Sequence, residues 1–192
     1  MSERTALVLG GTGMLQGCAD ELVARGWRVV LPCRRARPEL GQAARAALRR
    51  RGHTPIGDSC WVAADWARAQ ELAERVRAEL DRPADLLVAW VHASYREPVL
   101  KAVEPLLAPG APVVEVHDIG AISPTRGVPD PLLAAHPTQQ VVLGFVRHAG
   151  QTRWLTHEEA SKGVMEAVHR ALEGKPPSVH QLGEVDTWVV RR

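Results

Sequence analysis

Residues Thr5 to Ala19, TALVLGGTGMLQGCA, decide how this chain is read. Thr5 to Leu9 is a short apolar run of β-formers, Gly10 to Gly17 is a glycine-rich turn, and a helix follows to about Arg25, ended by Gly26. A strand enters the turn and a helix leaves it. Glycines let the main chain turn tightly and keep a Cβ from standing between it and a pyrophosphate. The helix N-terminus then offers unbonded N–H groups to the phosphate charge. Gly10, Gly11, Thr12, Gly13, Met14, Leu15 and Gly17 are the residues expected to form that dinucleotide site. The alternative for the same residues is a tight turn that holds nothing. Context favours the site: the turn lies at the start of a chain that alternates strand and helix throughout.

Outward from the turn, Trp27 to Leu31 reads as a second strand, Pro38 to Arg51 as a helix closed by Gly52, and Trp61 to Ala63 as a short third strand. Ala67 to Leu80 is an amphipathic helix ended near Pro83. Ala84 to Val91 is a continuous apolar run, as expected of a strand covered on both faces. A helix is expected over Pro98 to Leu107, a fifth strand over Pro112 to Val116, and loop from Gly120 to Pro137. Gln140 to Val146 reads as the sixth strand. Thr156-His-Glu-Glu159 is a capping box opening a helix to about Leu172, which Gly174 and Pro176-Pro177 stop. Val179 to Val190 is expected to add a last strand at the sheet edge. This order predicts one α/β domain of Rossmann type: a doubly wound parallel sheet in three αβα layers.

The 192 residues suit one domain, 45% of them are hydrophobic, and 24% are charged, as in an ordinary globular chain. A formal net charge of +2 gives no reason to expect nucleic acid. The run Arg49 to Arg51 reads as the solvated end of a helix, where cations suit the dipole. Cys18, Cys33 and Cys60 form no C-x-x-C and are odd in number, which suggests reduced thiols in a cytoplasmic protein, with Cys18 a buried one. The first residues lack the apolar region and cleavage site of a signal peptide, and no apolar run reaches the ~20 residues of a membrane span. No histidine pair has metal-ligand spacing, so no metal is expected.

At its first turn the chain resembles the short-chain dehydrogenases/reductases. Thr12-Gly13-Met14-Leu15-Gln16-Gly17-Cys18-Ala19 matches their TGxxxGxG, with Ala19 in place of the last glycine. The start Gly10-Gly11-Thr12-Gly13 is similar to their extended and atypical members. The resemblance implies a nicotinamide cofactor and a small-molecule substrate. In such folds the residue ending the second strand meets the adenosine ribose, and an acid there would favour NAD. Here Pro32-Cys33-Arg34-Arg35 supplies Arg34 and Arg35, whose forked donors suit a 2′-phosphate, so NADP(H) is expected. Asp65 matches the family's adenine-contacting Asp; alone it reads as a helix cap before Trp66. Trp90-Val-His-Ala-Ser94 is similar to a segment of extended members that lines the cofactor site, which adds His92, Ala93 and Ser94. The family's habit also implies a homodimer.

The resemblance fails at the catalytic motif. The family's YxxxK lies on a helix after the fifth strand, whereas the one tyrosine here, Tyr95, follows the fourth, and its nearest downstream lysine is Lys101. The family's serine after the fifth strand is replaced by His117-Asp118. Other polar residues are expected at the carboxyl ends of the strands, where open α/β sheets bind ligands: His92, Ser94 and Tyr95, then His117, Asp118 and Ser123, then Arg147, His148, Gln151, Arg153 and Trp154. His92, Tyr95 and His117 are the candidate proton donors, each with a capping or packing role as the alternative. An NADP(H)-dependent oxidoreductase of atypical site chemistry is the leading expectation, and a non-catalytic NADP(H)-binding sensor the other. Because Tyr95 lacks the lysine that would activate it, Tyr95→Phe should lower any turnover by less than the ~10²–10⁴-fold of a lost general acid. Abolished turnover with intact cofactor binding, in steady-state kinetics, would make Tyr95 a relocated catalytic tyrosine.

Overall fold

Thr5–Leu9 (β1) is buried along its whole length, as an apolar strand covered on both faces must be. The structure, a computed structural model, describes residues 4–34, 57–122, 127–148 and 151–185. The expected helix over Pro38 to Arg51, its stop at Gly52, Arg35 and Ser123 lie outside the described residues. Parallel to β1 run Arg28–Cys33 (β2), Asp58–Ala63 (β3), Leu86–Trp90 (β4), Val113–Asp118 (β5), Thr138–Leu143 (β6) and Val179–Leu182 (β9). Their order across the sheet is β3-β2-β1-β4-β5-β6-β9, the doubly wound arrangement expected from the alternation of elements. A separate antiparallel hairpin pairs Phe145–His148 (β7) with Gln151–Trp154 (β8).

Strand alternation sends side chains to two cores. Ala6, Val8, Val88, Val114 and Val116 meet Cys18 and Leu22 of helix α1 (Gln16–Ala24) and Val164 and Val168 of helix α4 (His157–Leu172). Leu7, Leu9, Leu87, Ala89 and Val113 meet Leu72 and Val76 of α2 (Ala69–Glu79) and Val99 and Val103 of α3 (Ala93–Val103). The result is the three-layer αβα fold. The Thr156–Glu159 capping box at the start of α4 is formed in both directions. Cys18 is fully buried, and burial pushes its thiol up to about 12. No helix among the described residues is long and apolar enough to cross a membrane.

Several boundaries differ from the sequence reading. β3 starts at Asp58 rather than Trp61, because it is the edge strand and its polar first residues need no burial. The helix expected from Pro98 starts five residues earlier, at Ala93. His92 caps it, its Nδ1 accepting from the Ser94 N–H. Pro98 then sits inside the helix, and the carbonyl it leaves unbonded belongs to the exposed Ser94. The sixth strand starts at Thr138 because its polar side chains are buried against loops: the Gln139 amide donates to the carbonyls of Lys175 and Pro176. It stops at Leu143, and the chain turns into the β7–β8 hairpin, which the apolar pattern did not show. Gly144 makes that break possible, since a Cβ there would stand 2.2 Å from the Glu184 carbonyl oxygen. The last strand runs from Val179 only to Leu182, and residues past 185 lie outside the described range.

One ion pair ties α3 to the sheet. Glu115 of β5 is 1% exposed, and it accepts from the guanidinium of Arg96, with Arg96 Nε at 3.1 Å. Its other oxygen accepts from the Leu132 N–H at 3.2 Å, while Arg96 also donates to the Asp130 carbonyl at 3.3 Å. Removing one partner strands a buried charge, so Arg96→Met should cost ~3–5 kcal/mol in urea unfolding. Adding Glu115→Met should restore most of that stability. A single variant as stable as wild type would show that the pair carries no such burden.

Candidate functional site

The β1–α1 turn is shaped by crowding at three glycines and by open space at a fourth. Gly10 has a φ of +88°, and a Cβ on it would lie 2.9 Å from the Trp90 carbonyl oxygen of β4. A Cβ on Gly11 would lie 2.5 Å from Leu31 Cδ2, and one on Gly17 would lie 2.9 Å from Ser161 Cβ of α4. These glycines are required by the fold itself. Gly13 is different: its φ lies outside the left-handed region, and a Cβ there would meet nothing within 4 Å. No side chain caps α1 at Leu15, and no acid stands in its first turn, so its positive end faces the same space. An uncapped helix terminus beside an unobstructed glycine fits a phosphate group. Thr12 and Met14 are partly exposed in the turn, whereas Leu15 is buried in the core.

Two cavities lie along the carboxyl edge of the sheet, on either side of this turn. The first, about 260 Å³, lies past the ends of β2 and β3 and is lined by Arg34, Ala64, Asp65, Arg68 and Arg75 among others. Asp65 caps the short 3₁₀ turn Trp66–Arg68, accepting from the Ala67 N–H at 3.0 Å, so its capping role is real and compatible with a place in this wall. Arg75 is held by Glu71 and by the Ala63 carbonyl. Arg34 makes no hydrogen bond or ion pair among the described residues. Arg68 has only a 3.3 Å contact with Glu71. Arg68 was not singled out from the sequence, because nothing in a helix-leading arginine marks it as facing β2.

The second cavity, about 380 Å³, lies past the ends of β4, β5 and β6. Met14 of the turn, Trp90, Asp118, Leu143, Trp154 and Leu155 line it. Ile119, Gly120 and Gly144 complete its wall. Asp118 is the only ionisable residue in that lining among the described residues. Its Oδ1 accepts from the Ala121 N–H at 3.0 Å, capping the 3₁₀ turn Ile119–Ala121. Trp154 lines the cavity although it is 65% exposed, because the β7–β8 hairpin carries it to the rim. From the same hairpin Arg147 lies 3.6 Å from Glu184 and Arg153 is bound by both oxygens of Glu159, while Gln151 is exposed.

None of the three residues nominated as proton donors lines this cavity. His92 is the N-cap of α3, with Nδ1 2.7 Å from Ser94 Oγ. Tyr95 is in the first turn of that helix, 39% exposed, its ring 6.4 Å from the His92 ring. Ala93 and Ser94 are exposed beside them. His117 is 3% exposed on the opposite face of β5 from Asp118, as neighbours on a strand must be. It packs beside Glu115, 3.8 Å away, and the Gln140 amide reaches its Nε2 at 3.3 Å. Burial, with Arg96 nearby and against the pull of Asp118, lowers its pKa to about 4. At neutral pH it is an uncharged ring in a buried polar layer.

That burial has a pH signature. Between pH ~6.5 and ~4 the unfolded chain binds a proton at His117 that the folded chain refuses, so stability falls as pH falls through this window, by on the order of 3 kcal/mol. His117→Gln should remove that share of the acid slope when urea unfolding is followed at pH 7 and pH 4.5. An identical slope in the variant would mean that His117 titrates normally in the fold.

Among solved structures, the chain is similar to the NADH-dependent reductase A1-R′ complexed with NAD. The two share 16% identity over 94% of this chain and 95% of that one, with a TM-score of 0.66. A 3-oxoacyl-[acyl-carrier protein] reductase from Brucella melitensis in complex with NAD gives 12% identity over 100% and 99% of the chains, with a TM-score of 0.66. A short-chain dehydrogenase/reductase from Serratia marcescens gives 13% over 95% and 97%, with a TM-score of 0.63. No family model and no curated protein sequence matches the chain. At these identities the likeness is one of architecture: the chain shares a Rossmann-like α/β fold with these reductases.

Proposed function

We propose that this protein is an NADP(H)-dependent oxidoreductase of the short-chain dehydrogenase/reductase type, acting on a small molecule. The observation that carries the reading is the pair of cavities on one sheet edge, with the open Gly13 and the uncapped end of α1 between them. A dinucleotide has that shape: two heterocyclic ends joined by a pyrophosphate. When bound, a nicotinamide supplies the hydride chemistry.

The chain's own residues do the rest. Gly13 leaves the pyrophosphate unobstructed. Arg34, joined by Arg68 and by Arg35, which lies outside the described residues, offers cationic donors to a 2′-phosphate, and Asp65 stands at the adenine end. The wall from Met14 to Leu155 takes the nicotinamide end together with the substrate and keeps water away from the reacting carbon. Two of the similar structures are NAD complexes, and the preference for NADP(H) here rests on the arginines alone. The second reading, an NADP(H)-binding sensor without turnover, is favoured by one observation: the sole tyrosine stands outside the substrate cavity.

Fluorescence titration with NADPH and NADH tests the cofactor reading. Wild type should bind NADPH more tightly. Gly13→Val should lose both cofactors in a folded protein. Arg34→Ala or Arg68→Ala should weaken NADPH by roughly ten- to a hundred-fold and leave NADH nearly unchanged. Equal affinity for the two cofactors in wild type would overturn the preference, and no binding of either would overturn the site.

A further inference from the structure

The substrate cavity carries one charge and no visible counter-ion. Asp118 closes β5 on the face of Val114 and Val116, which turn toward α1 and α4. One of its oxygens caps Ala121. The other makes no hydrogen bond, and no cationic side chain pairs with the residue, among the described residues. The rest of the lining is apolar, with Trp90 at the floor and Trp154 at the rim. A carboxylate beside low-dielectric walls is costly unless an opposite charge meets it, and indole faces attract cations in their own right. The complementary ligand is an organic cation with an apolar body.

The cavity's composition also constrains a reduction. Hydride delivered to a carbonyl leaves an alkoxide, which needs a proton at once. Among the described residues the lining holds no tyrosine, lysine, histidine or serine, and an ionised Asp118 would repel the new negative charge. Hydride delivered to an iminium carbon has no such need. The iminium carbon forms a new C–H bond with the hydride's electron pair, the C=N π pair becomes a lone pair on nitrogen, and the product is a neutral amine. The reduced nicotinamide loses that hydride from its C4–H bond and becomes the oxidised, cationic ring. Atoms and charge balance with no acid taking part.

We propose that the cavity bounded by Trp90, Asp118 and Trp154 binds an organic cation and that the reaction it supports is reduction of an iminium C=N bond. Asp118 is the counter-ion that places the cation. The proposal rests on the cofactor reading above for its hydride.

The full chain with NADPH is given N-methyl-3,4-dihydroisoquinolinium, a permanent iminium, or 1-tetralone, a neutral carbonyl of similar shape. NADPH consumption above the protein-free rate is expected with the iminium only, together with formation of the N-methyl tetrahydro amine. Calorimetry on the cofactor-free protein should show the cation bound about tenfold or more tighter than the ketone. Asp118→Asn keeps an oxygen for the Ala121 N–H and removes the charge. It should erase the binding preference and lower kcat/KM for the iminium by about ten- to a hundred-fold. Equal binding of cation and ketone, reduction of the ketone in preference, or an Asp118→Asn protein that keeps the preference would each overturn the proposal. So would a protein that binds NADPH and leaves the iminium unreduced. Failure to bind NADPH at all would overturn the cofactor reading and the reduction with it. The calorimetric preference would still decide the charge of the ligand.

Discussion

The main chain between β1 and α1 has no room for side chains where it passes its neighbours. Gly10 runs under the Trp90 carbonyl, Gly11 against Leu31, and Gly17 against Ser161, whose hydroxyl also donates to the Met14 carbonyl at 3.1 Å. That crowding locks the start of α1 against β4, β2 and α4 together. The positive end of the helix is therefore aimed along the sheet edge, and Met14 is placed as one wall of the larger cavity. Both cavities owe their separation to this turn, because it stands between the strand ends that line them.

On the other face of β5 from Asp118 lies a buried polar layer that includes His117, one of the candidate proton donors. Glu115, His117 and Gln140 sit on β5 and β6 facing the layer of α2 and α3, with Arg96 reaching in from α3. Their hydrogen bonds tie the loop at Pro129, Asp130 and Leu132 to the sheet. A histidine held uncharged there stiffens the floor under Asp118 while staying out of contact with any ligand. Past β5 the sheet edge is bordered by that tethered loop and by the β7–β8 hairpin.

Legibility followed burial. Strands covered on both faces, β1 and β4, are plain as unbroken apolar runs, and α4 is plain from its capping box and its glycine and proline stops. Elements whose polar residues are exposed at an edge, as at Asp58, or buried with private partners, as at Gln139, were trimmed or shifted. The start of α3 was hidden by Pro98, since a proline more often opens a helix than sits within one. The hairpin was hidden because one apolar run, 141–146, serves two strands that belong to different sheets.

At the site the division is sharper. The glycine turn, Arg34 and Asp65 are local in the chain, and the sequence alone marked a glycine-rich strand–helix turn and singled out the two side chains as candidate dinucleotide contacts. Tertiary structure decided what stands opposite them. Arg68 joins Arg34 because a 3₁₀ turn folds it back, Trp154 lines the same cavity as Trp90 because the hairpin carries it there, and Asp118 rather than His117 faces the cavity. The last of these turns on pleat and packing together. Successive strand residues point to opposite faces, and which face carries the cavity depends on where the remaining helices pack, a long-range fact that the pair His117-Asp118 does not contain.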